Sequence, residues 1–177
     1  MSGHNKWSKI KNKKAVTDAK KSKIFSKYAK LITMESKSAK GDVNSPALKS
    51  AIDQAKAVNM PADNITRAVK KGAGTDAGTL EKNTYESYGP GGCALIIETL
   101  TDSSNRTAAE IRHTLSKNGY ELAGIGSVTW AFTKEGSKWV AKNTTPLSDE
   151  DMEKTARLID DLEDNEDVQE VFTNIED

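Results

Sequence analysis

The sequence predicts an α+β protein: an N-terminal three-helix basic domain followed by a ferredoxin-like β-α-β-β-α-β domain. Three observations predict it. Between residues 17 and 71, apolar side chains recur every three or four positions, the period of a helix buried on one side. Beyond a glycine-bearing stretch the pattern turns to apolar runs and alternation, the marks of strands, with two more helical segments between them. The charge divides at the same place. The 177 residues balance 26 Lys and Arg against 26 Asp and Glu, yet residues 1–80 hold 17 basic and 6 acidic side chains, and residues 81–177 hold 9 and 20. The expected organisation is a basic arm and three-helix domain over 1–71, a linker over 72–83 and an acidic α/β domain over 84–177.

Each element follows from local chemistry. Ten of the first thirty residues are lysine and only Asp18 is acidic, a composition that suits a solvated arm and no core strand. Ile24, Tyr28, Leu31, Ile32 and Glu35, with Phe25 beside them, predict a helix over residues 17–38. "KGDVNSP" breaks it. Ser45 then reads as an N-cap and Pro46 as the first helical residue, with Leu48, Ala51, Ile52 and Ala55 on the buried side. Asn59-Met60-Pro61 punctuates again. A third helix turns Ile65, Ala68 and Val69 inward, with Gly72 as its C-terminal stop. These alanine-rich stripes predict a thin core and closely approaching helices. "GAGTDAGTLEKN" has no periodicity and three glycines, as a linker does.

In the second half, "CALIIETL" (93–100) is a continuous apolar run, suited to a central strand buried on both faces. "TDSSNRT" supplies capping residues for a helix with Ala108, Ile111 and Leu115 inward and Gly119 as its stop. "SVTWAFT" (127–133) alternates, predicting a strand with Val128, Trp130 and Phe132 on one side. "KEGS" is a turn and "KWVAK" a short strand. Ser148 caps a helix whose first turn holds Asp149, Glu150 and Asp151, where the helix dipole favours anions, and whose inward side is Met152, Thr155, Ile159 and Leu162. "DVQEVFT" (167–173) is the last strand.

Composition excludes several function classes. No run approaches the ~18 apolar residues that cross a bilayer, and no apolar segment follows the basic start as in a secretory signal. One cysteine cannot build a disulfide framework. A cytoplasmic protein with no membrane partner is the expectation. No catalytic constellation stands out. His4 lies in the arm, and His113 has no Cys or carboxylate at ligand spacing. "GPGGCALII" lacks the Gly-Lys-Ser/Thr of a phosphate loop. Cys93 reads as a small core hydrophobe. "DDLEDNED" (160–167) does not match a calcium loop and reads as a solvated acidic turn. No cofactor or metal is expected.

What remains is the cationic half, which calls for a polyanion. Lys6, Lys9, Lys11, Lys13, Lys14, Lys20, Lys21, Lys23 and Lys27 offer point charges for phosphates, each contact releasing counterions with little sequence preference. His4 belongs to the same arm. Trp7, between Lys6 and Lys9, either stacks on an unpaired base or folds back onto the helical domain as an anchor. Arg67, Lys70 and Lys71 add charge at the end of the third helix, where cations also answer the dipole. Arg106, where a loop enters a helix, either holds a phosphate or belongs to a plain helix cap.

These segments carry a resemblance. "GHNKWSKIKNKKAVTDAKKSKIFSK", "NMPADNITRAVKKG", "YESYGPGG", "TDSSNRT", "EIRHTLSKNG", "GSVTWAF" and "LIDDLEDNEDVQEVFTNIE" together resemble the YebC/PmpR family, in order and over nearly the whole chain. The resemblance implies a basic helical domain followed by α/β domains and no enzymatic activity. It implies either a DNA-binding transcriptional regulator or a translation factor at the ribosome, relatives of the latter kind including a mitochondrial activator of cytochrome oxidase synthesis. Two departures stand out. The family inserts a further α/β domain between "SVTWAF" and "TTPLSDED", where this chain has only "TKEGSKWVAKN". Its "TDNRNRT" pattern reads "TDSSNRT" here, so Ser104 replaces an arginine and Arg106 is left alone. The expected partner is therefore nucleic acid, duplex DNA or ribosomal or transfer RNA, with the ribosome itself as a partner in the second case. A flexible lysine arm with one stacking tryptophan suits irregular RNA, while the family's usual description favours DNA. A protein-interaction module using the acidic face is the third class, and it leaves the basic half unexplained.

Overall fold

The structure is a computed structural model that describes residues 6–11, 17–75 and 77–177. The described residues form two compact units. One holds three helices and the segment up to Glu81, with Leu100–Ser103; the other holds the first helix and the rest. The helix at residues 6–11 packs with the α/β part.

In the helical unit, α2 (Asp18–Ala39), α3 (Pro46–Ala57) and α4 (Ala62–Ala73) lie where the apolar period put them. Thr17 caps α2, its hydroxyl accepting from the Lys20 N–H at 3.3 Å. Ser45 and Pro46 open α3 as expected, although the Ser45 side chain makes no cap hydrogen bond. The core gathers Ile32, Leu48, Ala51, Ile52, Ala55, Met60, Ile65 and Ala68. One expectation needs correction. Gly72 does not stop α4 but lies inside it, buried against α2. A Cβ there would overlap the Thr33 carbonyl oxygen and come within 2.6 Å of Ser36 Cβ. Its role is close approach. The crossing is stitched by Ser36 Oγ donating to the Val69 carbonyl at 2.7 Å, and by Thr33 Oγ1 reaching the Ala29 carbonyl at 2.7 Å and the Ala68 carbonyl at 3.4 Å.

The other unit contains α1 (Lys6–Lys11), β1 (Glu81–Tyr88), β2 (Ala94–Thr101), α5 (Ser104–Lys117), β3 (Leu122–Ala123), β4 (Phe132–Glu135), β5 (Lys138–Ala141), α6 (Asp149–Glu163) and β6 (Val168–Thr173). Gly119, at φ +87°, follows α5 as the anticipated stop. The α+β class and the order of a helical part before a β/α part hold. The sheet has four strands in the order β3-β1-β2-β6, with β3 antiparallel to β1 and β6 antiparallel to β2. The two middle strands read from the sequence do not enter it: β4 and β5 form a hairpin of their own. β1 and β3 took their places. β2 is buried on both faces as its apolar run required. Leu95 and Ile97 face a core with Ile111, Leu115, Leu158 and Leu162, and Ala94 and Ile96 face a second core with Val128, Ala131 and Phe132.

Residues 127–133 are the second correction, because no strand forms there before Phe132. Glu86, buried on β1, accepts the N–H groups of Gly126 (2.7 Å), Val128 (3.0 Å) and Thr129 (2.9 Å). Those donors are taken up by one carboxylate and cannot join a ladder. The chain curls into a 3-10 turn at Thr129–Ala131. Val128 and Phe132 are buried as predicted, but Trp130 is 54% exposed, its Nε1 donating to the Ser127 carbonyl at 2.8 Å.

Candidate nucleic-acid interface

The helical unit carries the surface that fits a polyanion. Residues 17–75 hold twelve Lys and Arg against five Asp and Glu. On α2, Lys20, Lys23, Lys27 and Lys30 recur at steps of three and four, so helical geometry lines them along one face, turned away from the buried Ile32, Thr33 and Ser36. At 1.5 Å per residue the row is about 15 Å long. Lys21 is exposed on the same helix. On α4, Arg67, Lys70 and Lys71 are exposed and lie opposite Ile65, Ala68 and Gly72. Arg67 is steadied by donating to Asn64 Oδ1 at 3.3 Å. The tight α2–α4 crossing gives these cations a rigid base. Sequence reasoning missed Lys30, which continues the row three residues beyond Lys27, and Lys49 and Lys56, exposed seven residues apart on α3. It also missed Lys37, whose Nζ donates to the Gly78 carbonyl at 2.8 Å and ties α2 to the segment after α4.

The remaining candidates lie elsewhere. Lys6, Trp7, Lys9 and Lys11 are on α1, in the α/β unit. Trp7 is 8% exposed and joins the core that includes Met152, Ile159 and Ile175. In this structure it neither presents a face to a base nor anchors the three-helix unit, because the apolar wall beside α6 hides its ring. Lys6 pairs with the Asp149 carboxylate, and Ser8 Oγ donates to Asp177 Oδ2 at 2.8 Å. His4, Lys13 and Lys14 lie outside the described residues.

Arg106 is committed to protein partners. Its Nη2 meets Asp167 Oδ2 at 2.9 Å and its Nε lies 3.9 Å from Glu110. Asp167 is buried and also accepts from Thr107 Oγ1 at 2.8 Å. An open cleft of about 740 Å³ beside it is lined by Glu110, His113, Lys117 and Asp161 among others. Carboxylates dominate that lining, which repels a phosphate. Cys93 is fully buried, and burial pushes its thiol up to about 11, the opposite of an activated nucleophile. Among the described residues no group of His, Cys, Asp and Glu is arranged to hold a metal ion, and no helix is long and apolar enough to cross a membrane.

Comparison with known proteins divides the chain between residues 75 and 80, with α1 on the helical side of that boundary. The family model for the TACO1/YebC protein N-terminal domain matches residues 5–75, and that for the TACO1/YebC second and third domain matches residues 80–138 and 133–175. A protein of Chloroherpeton thalassium named "Probable transcriptional regulatory protein" is 38% identical, covering 99% of this chain and 96% of its own. That alignment runs over 239 positions although this chain has 177 residues, so the relative carries a stretch with no counterpart here. A protein of Desulfosudis oleivorans with the same name is 46% identical over 100% of this chain and 73% of its own. In fold, a conserved hypothetical protein from Aquifex aeolicus superimposes with a TM-score of 0.79 at 27% identity, over 90% of this chain and 91% of that one. The two matched segments of the second model meet at residues 133–138, the β4–β5 hairpin, so the short form closes with a tight turn at the point where the longer relatives continue. The chain belongs to the TACO1/YebC family.

Proposed function

We propose that this protein is a non-enzymatic, nucleic-acid-binding regulator of gene expression that grips phosphates through the cationic faces of α2 and α4, with duplex DNA as its target. The observation that carries this is the lysine row of α2, set opposite the helical core on a unit with a large cationic excess. Such a row supplies sequence-independent affinity through counterion release. The relatives' names, as transcriptional regulators, support the same class. A second class is supported by one specific observation. α2 contains no Asn, Gln or Arg, the side chains that read base edges bidentately in a major groove. A lysine-only face suits an RNA partner recognised by its phosphates, as in a translation factor on ribosomal or transfer RNA.

The test is sedimentation of the full chain with ribosomes in the presence of excess duplex DNA, alongside a Lys20→Glu/Lys23→Glu/Lys27→Glu variant. Loss from the ribosome pellet to the DNA supports transcription; retention supports translation. The variant loses affinity for either partner. With ~6–10 phosphate contacts, affinity falls ~10³–10⁵-fold between 50 and 200 mM salt. An unaffected variant with a flat salt response would overturn the proposal in favour of a protein partner.

A further inference from the structure

We propose that α1 is a self-blocking latch: with Trp7 seated in the α/β core, Lys6 is held against Asp149 beside an acidic helix start and withheld from a polyanion until Trp7 leaves. This rests on the nucleic-acid proposal above and concerns its control.

A six-residue helix has no stability of its own in water, so α1 owes its form to docking. Trp7 is buried within the apolar cluster, and Ile10 packs beside the same cluster. Around this anchor the polar contacts have one sign. Lys6 meets Asp149, and Ser8 meets Asp177. Asp149 shares the first turn of α6 with Glu150 and Asp151, and the α6 cation nearest them, Lys154, is engaged by Glu150 at 2.8 Å. A phosphate backbone approaching docked α1 therefore meets these carboxylates, and Lys6 is already neutralised. Lys9 and Lys11 are exposed on the same short helix, whose docking is fixed by Trp7. Lys6 becomes usable when the segment detaches from Asp149 and its acidic neighbours. Detachment exposes the Trp7 ring, so the closed form prevails without a competing polyanion. A site that is competent only in a minor state binds with its affinity reduced by that state's population. The latch therefore sets a threshold for binding.

The experiment uses the full chain with two variants. In Trp130→Phe/Trp139→Phe, Trp7 is the sole tryptophan. Its emission is blue-shifted in the free protein and moves to the red when labelled duplex DNA or a structured RNA is added to saturation. In Trp7→Ala the latch is open, and anisotropy with the same probes gives affinity roughly tenfold tighter or more. Emission that stays blue at saturation overturns the latch, as does unchanged or weaker binding by a folded Trp7→Ala chain. Should Trp7→Ala fail to fold by circular dichroism, the emission measurement decides alone. If no chain binds either probe, the nucleic-acid proposal falls and the latch with it; if all bind equally, only the latch falls.

Discussion

Replacing Gly72 by alanine sets two effects of opposite sign against each other at one position. Gly72 sits inside α4, and in an unhindered helix Gly→Ala stabilises by ~1 kcal/mol through backbone entropy and propensity. Here the added methyl would overlap the Thr33 carbonyl and stand 2.6 Å from Ser36 Cβ. Carbon atoms pack at about 3.5–4.0 Å, so the helices must part by about 1 Å. Thr33 belongs to the α2 backbone and cannot swing aside. Overpacking of this kind costs ~1–3 kcal/mol. Parting the helices also strains the Ser36–Val69 hydrogen bond, worth ~1 kcal/mol. After subtracting the propensity gain, Gly72→Ala destabilises the helical unit by about 1–3 kcal/mol. The assay is urea denaturation of the full chain followed by circular dichroism at 222 nm. The control is Thr66→Ala, exposed on the same helix, which should gain a few tenths of a kcal/mol from propensity, with ~0.7 kcal/mol as the upper bound. A Gly72→Ala midpoint equal to or above wild type would refute the close-approach role and leave Gly72 as an ordinary helix weakness.

Other consequences follow from the α/β unit. Glu86→Gln replaces one carboxylate oxygen by an amide N–H₂, which then faces either the Gly126 N–H or the Val128 and Thr129 N–H groups and should cost ~1–3 kcal/mol. The amides of Gly126, Val128 and Thr129 should then exchange faster with deuterium, and unchanged exchange would contradict the clamp. Cys93 is raised from 9.0 to about 11 by burial, so the folded state holds its proton more tightly than the unfolded chain. Its contribution is intact below pH 9 and is lost as pH climbs towards 11; two pK units correspond to ~3 kcal/mol. The Cys93→Ala variant should lack this extra loss in pH-dependent thermal melts, and parallel curves would contradict it. Gly136 turns the β4–β5 hairpin at φ +63°. A ten-residue Gly/Ser insertion after it should cost no more than ~1–2 kcal/mol, since loop entropy grows slowly with length. Collapse of the thermal transition would show that the tight turn is itself required.

The elements with a strong local signal were legible. Helices α2 to α4 announced themselves by apolar spacing, β2 by an unbroken apolar run and α6 by Ser148, whose side chain caps it as expected. Lysine content marked the cationic half before any fold was known. Strands without a signal were not legible. β1, "EKNTYESY", is too polar to read as a strand; it is one because β2 and β3 lie beside it. β3 is two residues long, and no pattern survives at that length. The site divides the same way. The cations of α2 and α4 stand where helical spacing puts them. The fates of Trp7 and Arg106 depended on groups far along the chain.

By itself the sequence determined where charge accumulates, which segments become helices and which strand lies at the centre, because each rests on contacts within a few residues. Only the tertiary structure decided the rest. It took the donors of Gly126, Val128 and Thr129 onto Glu86 and so turned an alternating run into a loop. It made Gly72 a crossing point with Thr33 and Ser36, two polar residues that it buries. It neutralised Arg106 with Asp167, sixty-one residues away, and hid Trp7 among apolar residues that are remote in sequence. The physical reason is common to all four: a buried polar group or aromatic ring must find a partner, and no local pattern records a partner supplied by distant parts of the chain.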